Sequence, residues 1–282
     1  MLKIDSHHHL WDLTLTLQPW IQGKNMSVIN KSFSIQDLET TIANTGISKT
    51  VLVQTVPNYL ETPLLLKLAS QASPICGVVG WMKVDEEDAL SHLDEFLSNE
   101  HSRHLVGIRD MAQDLPDANY LVKPTSIKNI RALGEKNLTF DILIKPPQLS
   151  AARELIRSAQ NTRFIIDHGA KPLIKSKTIE PWKEFMGEIG EYDNVVCKIS
   201  GLITEADWEK WVAKDIEPYF EVLLKSFGPE KLMFGSDWPV SLLAGTYIDV
   251  VRLAEELTSL MSSDELEMFW AKNACYWYKL KI

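Results

Sequence analysis

Cysteine is scarce in this sequence and its three copies, Cys76, Cys197 and Cys275, lie far apart in apolar surroundings. That excludes a disulfide framework and a CxxC metal knuckle, and reads as buried, reduced thiols. Basic charge is also in deficit: 29 Lys and Arg stand against 38 Asp and Glu, a formal net charge of −9. Nucleic acid and anionic membrane surfaces both need a basic face, so neither is expected as the main partner. A few local cations can still govern a pocket. No apolar run approaches the roughly 18 residues needed to cross a bilayer, and the first residues lack the basic and apolar regions of a signal peptide. The expected compartment is the cytoplasm. No linker-like Pro/Gly/Ser stretch divides the 282 residues, 45% of which are hydrophobic and 24% charged. One domain over residues 1–282, with a full-sized core, is therefore expected.

Short apolar, β-branched runs recur along the chain, bounded by turn residues: 3–9, 50–55, 75–81, 105–110, 139–144, 163–168, 194–200 and 231–237. Stretches of helical period separate them. Ser34 caps IQDLETTIA and Gly46 stops it; Thr62-Pro63 opens LLLKLA; Asp85 opens EEDALSHLDEFL; Ser126 opens IKNIRALGE. Similar patterns fill 149–160, 179–190, 205–227, 246–260 and 264–273. Eight buried-type strands alternating with helices predict an α/β fold, a (β/α)8 TIM-type barrel, for which ~250 residues is typical. The competing open sheet more often carries a Gly-rich phosphate turn after its first strand, and none is present.

Chemistry in such barrels sits at the C-terminal ends of the strands. Polar residues are sparse within the runs and gather at those ends: His7 and His9, Gln54, Arg109 and Asp110, Asp167 and His168, Lys198, and Asp237. The run IDSHHHLWD is thus no tag remnant. Strand alternation puts His7 and His9 on one side and His8 on the other. With His168 and Asp237 they make a ligand set suited to a borderline divalent metal such as zinc. Asp237, in FGSDWPV, is placed to take a proton from water and return it to a leaving oxygen. Arg109 and Lys198 are charges at the ends of apolar strands; ion pairing with Asp110 or Asp167 and a grip on substrate oxygens both explain them. Trp11, Trp20, Trp81 and Trp238 follow strand ends, where core packing explains most aromatics and one or two could stack on a sugar ring. His92, on a helix, and His101 and His104, before the fourth strand, lie away from the mouth.

The ordered set DSHHHLWD, VLVQT, GVVGWM, VGIRDMAQDLPD, FDILI, DHGAKP, CKISGL, FGSDWPV and NACYWY resembles the amidohydrolase-2 group of the amidohydrolase superfamily. The likeness spans nearly the whole chain. It is strongest to the sugar-lactonase branch, which holds L-fuconolactone and L-rhamnonolactone hydrolases and is related to 2-pyrone-4,6-dicarboxylate lactonase. The resemblance implies a distorted barrel that opens a lactone ring. The family's metal positions fall on His7, His9, His168 and Asp237, its catalytic aspartate on Asp237, and its Arg, Lys and Trp pocket positions on Arg109, Lys198 and Trp20. Two departures stand out. The fifth strand offers only Asp141 and Lys145, with no further histidine, so at most one metal is implied; members of this branch differ in needing it. Relatives also carry Arg-His where this chain has Arg109-Asp110, which is expected to change the local charge.

The expected reaction is hydrolysis of an aldonolactone, with the histidines, with or without a zinc ion, polarising the carbonyl and Asp237 activating water. The long segment 12–34 is expected to fold over the mouth as a partial lid. A metal-dependent decarboxylase would share the same barrel and donors; a phosphotriesterase-like or dihydroorotase-like hydrolase would need the missing second-metal ligands. A sugar-acid binding protein without catalysis is the alternative from another class. Exterior helices look alike whether they meet water or another copy, so an oligomer is compatible with the sequence.

Overall fold

All eight apolar runs form strands in the computed structural model, which describes residues 1–282. They are β1 (Lys3–His8), β2 (Ile47–Val53), β3 (Ile75–Trp81), β4 (Leu105–Asp110), β5 (Thr139–Ile142), β6 (Arg163–Ile166), β7 (Val195–Ile199) and β8 (Leu232–Phe234). Each pairs in parallel with the next, in the order β1 through β8. Between them run α1 (Ile35–Ile42), α2 (Glu61–Gln71), α3 (Ala89–Ser98), α4 (Pro124–Glu135), α5 (Leu149–Ser158), α6 (Trp182–Gly190) and α7 (Ala213–Phe227), with α8 (Tyr247–Leu257) after β8. This is the (β/α)8 barrel, nearly closed. β8 is short, and the seam to β1 is bridged only beyond its end, by His8 and Trp238. Two backbone bonds lock that seam: Asp237 N–H donates to His7 O at 2.8 Å and His9 N–H to Trp238 O at 2.7 Å.

Apolar side chains form two shells. Outward residues such as Leu52, Val78, Ile108, Phe140, Phe164 and Phe234 pack against the helices in the larger one. A smaller cluster fills the barrel interior with Ile4, Val51, Val79, Ile165, Val196 and Met233. The C-terminal segment, Ser263–Glu267, a π turn at Met268–Lys272 and a last helix at Asn273–Tyr278, contributes Ala274, Trp277 and Tyr278 to that interior cluster.

The capping signals divide. Ser34 makes the expected cap, with a reciprocal bond to Asp37, and Gly46 adopts φ +81° before β2. Thr62, Asp85 and Ser126 do other work. Thr62 lies inside α2, where its hydroxyl accepts the Trp81 N–H at 2.9 Å. Asp85 precedes α3 by several residues and accepts from Lys123 Nζ at 3.0 Å. Ser126 sits in the first turn of α4 and donates to Tyr120 O at 2.8 Å. Each polar side chain satisfies a tertiary partner, which sequence spacing alone does not reveal. The helix expected from residue 205 begins only at Ala213, because the preceding residues cross the barrel mouth.

Candidate active site

A bulge in β1 aims the histidines. Asp5 pairs with Thr50 and His8 with Leu52, so three steps on β1 oppose two on β2. His7 then lies in the barrel, and His9 follows on the same side. Asp5, pointing away from the axis, stitches the seam: its carboxylate accepts from Ser236 N–H at 2.8 Å, Tyr247 O–H at 3.0 Å and His7 N–H at 3.1 Å. Burial pushes its pKa up to about 6.

The Nε2 atoms of three histidines converge on one carboxylate oxygen. Asp237 Oδ1 lies 3.4 Å from His9 Nε2, 3.8 Å from His7 Nε2 and 3.9 Å from His168 Nε2. His7 and His9 Nε2 are 3.2 Å apart. Donor atoms of His7, His168 and Asp237 all lie within 4.8 Å of one another. His168 and Asp237 both occupy the left-handed region, φ 54° and 57°. Such a conformation costs a non-glycine residue ~1–3 kcal/mol and concentrates at functional sites. Gly201 makes room for them: a Cβ there would stand 2.7 Å from His168 Nδ1 and 3.0 Å from Asp237 Oδ2.

The far side of each ring is engaged. His9 Nδ1 bonds Val53 O at 2.8 Å, His168 Nδ1 bonds Ser200 Oγ at 2.9 Å, and His7 Nδ1 sits 3.2 Å from Asp167 Oδ1. Metal-binding histidines are held in this way, with Nδ1 tied and Nε2 presented. Burial lowers the His7 pKa well below its ordinary value and brings His168 to about 4. Burial opposes ionisation of Asp237 too, yet the surrounding imidazoles outweigh it and hold that carboxyl below its usual range. The result is a buried carboxylate with no Lys or Arg within ion-pair distance. A buried charge without a counter-charge is costly, and Nε2···O spacings of 3.4–3.9 Å suit donors sharing a single ion. The donor set therefore fits one divalent cation.

Below this cluster lies a buried ionic layer. Asp167 receives Arg109 Nη1 at 2.9 Å and Lys198 Nζ at 2.9 Å; Lys198 also reaches Asp141 at 2.7 Å and His7 Nδ1 at 3.1 Å. Burial works to raise the Asp167 pKa, and Lys198, His7 and Arg109 hold it well below the usual value instead. Lys198 is wholly buried and absent from the cavity wall. Its expected contact with substrate is corrected: the ion-pair explanation applies, because two carboxylates and an imidazole consume its donors. Arg109 pairs with Asp167 and also lines the cavity. Asp110 faces outward, where Trp81, Val84, Met111 and Tyr120 donate to it. Its charge therefore stays out of the cavity, contrary to expectation.

Above the cluster opens a cavity of about 270 Å³ lined by His9, Arg109, His168 and Asp237 at the floor. Trp20 and Met26 from the segment 12–34 line one side, and Trp208 stands on another. Trp11, Trp81 and Trp238 are core residues. Sequence reasoning missed Trp208, Lys171, Glu205, Gly201, Asp141 and Tyr278 as parts of the assembly. Asp141 carried a strand-position signal. The others sit on loops, a single short turn of helix or the C-terminal helix, where periodicity carries no direction.

Residues 4–280 match the amidohydrolase family model. The chain belongs to the amidohydrolase family. Among curated relatives of this amidohydrolase, an L-fucono-1,5-lactonase from Burkholderia ambifaria is 34% identical, covering 99% of this chain and 96% of the relative. Another from Burkholderia multivorans is 31% identical over 99% and 96%. A crystal structure of an amidohydrolase from Burkholderia multivorans with bound Zn superposes with TM-score 0.93 at 30% identity, covering both chains fully. No helix of this amidohydrolase is long and apolar enough to cross a membrane.

Proposed function

We propose that this amidohydrolase opens the ring of an aldonolactone, of the kind represented by L-fucono- or L-rhamnonolactone. The observation that carries the reading is the convergence of three imidazole Nε2 atoms on Asp237 at the floor of the cavity. The full-length relatives that act as L-fucono-1,5-lactonases support the same chemistry. Room of about 270 Å³ falls just below the usual range of ligand pockets, ~300–1,000 Å³, and suits a single sugar ring.

His7, His9, His168 and Asp237 would hold the divalent ion, zinc being the best match to this donor set. When bound, that ion supplies Lewis-acid polarisation of a carbonyl oxygen. The chain's own groups do the rest. Asp237, ionised, removes a proton from the water that attacks the lactone carbon. As the bond between that carbon and the ring oxygen breaks, the same carboxyl returns the proton to the ring oxygen. The product is a hydroxy acid, which releases a proton on ionising near neutral pH. Arg109 lines the cavity and brings its positive charge to substrate oxygens and to the new carboxylate. Trp20 and Trp208 cover the ring and exclude water.

Acid release from a panel of 1,4- and 1,5-aldonolactones, with spontaneous hydrolysis subtracted, tests the proposal. Enzyme-dependent release confined to one stereochemical series is expected. No release from any of them, by folded and zinc-supplemented protein, contradicts it.

A further inference from the structure

Most polar groups around the cavity are already used inside the protein. Arg109 engages Asp167 and Gln54 O. Thr55 Oγ1 donates to Glu61 and accepts from Gln18, and Thr204 Oγ1 donates to Gly201 O. Lys171 and Glu205 differ. Lys171 Nζ lies 3.3 Å from Glu205 Oε1, their side chains are 20% and 23% exposed, and both line the cavity. An ammonium carries three donors and a carboxylate about four lone-pair sites. One ion pair leaves most of these unspent.

Their placement is built in. Lys171 ends a left-handed run, with φ 54° at His168, 56° at Gly169, 58° at Ala170 and 50° at Lys171, and its N–H bonds His168 O at 2.9 Å. The turn that presents His168 at the floor thus also presents the ammonium at the wall. Glu205 closes the short helix Ile203–Glu205 after β7, and its carbonyl accepts from Lys175 N–H at 3.0 Å. Nearby, Gln113 Oε1 is buried with no partner and Gln113 also lines the cavity.

We propose that Lys171 and Glu205 are the specificity-determining pair that reads ring hydroxyls, with Gln113 as a further acceptor. A donor and an acceptor side by side match two neighbouring hydroxyls, one accepting from Lys171 and the other donating to Glu205. The ligand class is a polyhydroxylated lactone and the aldonate it yields. This rests on the lactone-hydrolase reading and extends it to the groups that choose the sugar.

The test uses full-length Lys171→Met and Glu205→Met, assayed on a polyhydroxylated aldonolactone and on δ-valerolactone, which bears no hydroxyls. Aldonate binding is measured in parallel by calorimetry. Loss of a hydrogen bond to a charged group costs ~10- to 100-fold in affinity. KM for the aldonolactone is expected to rise by that factor in each variant, and aldonate binding to weaken in step. The kcat/KM for δ-valerolactone should change far less. A pair that merely latches the two loops together would depress both substrates and the melting temperature alike, and that result overturns the proposal. Should the wild type turn over neither lactone, the reaction reading fails by itself and calorimetry still decides. Aldonate binding weakened by both substitutions upholds the pair's role; no aldonate binding by the wild type, or binding indifferent to both substitutions, overturns it.

Discussion

Two residues beside the site separate function from packing. His8, between two candidate ligands, points away from them and is wholly buried, and neither ring nitrogen has a partner. Burial lowers its pKa to about 3 from the ordinary 6.5. The native state therefore binds fewer protons than the unfolded chain between those values. Stability from keeping this ring neutral is present above about pH 6.5 and is lost as pH falls toward 3, at up to ~1.4 kcal/mol per pH unit. His7 and His168 act in the same direction, and Asp5, with its raised pKa, acts oppositely. His8→Leu is predicted to keep or raise the melting temperature at pH 7 and to flatten its decline toward pH 5. An unchanged acid limb in thermal unfolding contradicts that. Gly201 has the reverse character, an apparently bland residue at a demanding position. Gly201→Ala drives a methyl against His168 and Asp237 and keeps φ +60°. The expected outcome is at least a ~10-fold loss of zinc affinity, read by chelator competition, while the far-UV spectrum stays native.

At the scale of elements, the segment 12–34 brings Trp20 to the cavity on a tether. Trp20 Nε1 donates to Gln18, Gln18 donates to Thr55, and Thr55 donates to Glu61 at the start of α2. Trp20→Ala should raise the lactone KM by roughly ten-fold, the value of about 1.4 kcal/mol of lost contact, with a smaller effect on kcat. Equal losses in both parameters would assign Trp20 a role in the chemical step. Strand positions were legible because a parallel barrel buries its strands on both faces, and apolar runs such as TVLVQT and NVVCKIS mark that burial. The seam was not. A short β8, a bulge in β1 and the seam bonds from Asp237 and His9 have no signature in periodicity. Caps were legible only where the side chain had no better partner, as at Ser34.

For the whole molecule, the site rests on an ionic layer inside the barrel. Arg109, Lys198, Asp141 and Asp167 surround His7 from below, and Tyr278 of the C-terminal helix donates to Asp141. Strand-end position identified His7, His9, His168, Asp237 and Arg109 as neighbours, and the structure places them so. The same rule put Lys198 in the pocket, whereas it lies beneath the floor. Position along a strand tells which end a residue occupies, not how deep a long side chain reaches. Removing one member of a buried ion network costs ~3–5 kcal/mol, so Lys198→Met is predicted to lower the unfolding free energy by about that much in denaturant titrations. A change within experimental error would mean that the layer carries no net stability.

In the proposed mechanism Asp237 handles the proton at the floor of this cavity. Its most direct test compares wild type and Asp237→Asn in steady-state acid release from the best aldonolactone, alongside calorimetric binding of the aldonate product. Aldonate binding within a few-fold of wild type is expected, with turnover lower by ~10²–10³ or more. Near-normal turnover by Asp237→Asn would contradict it.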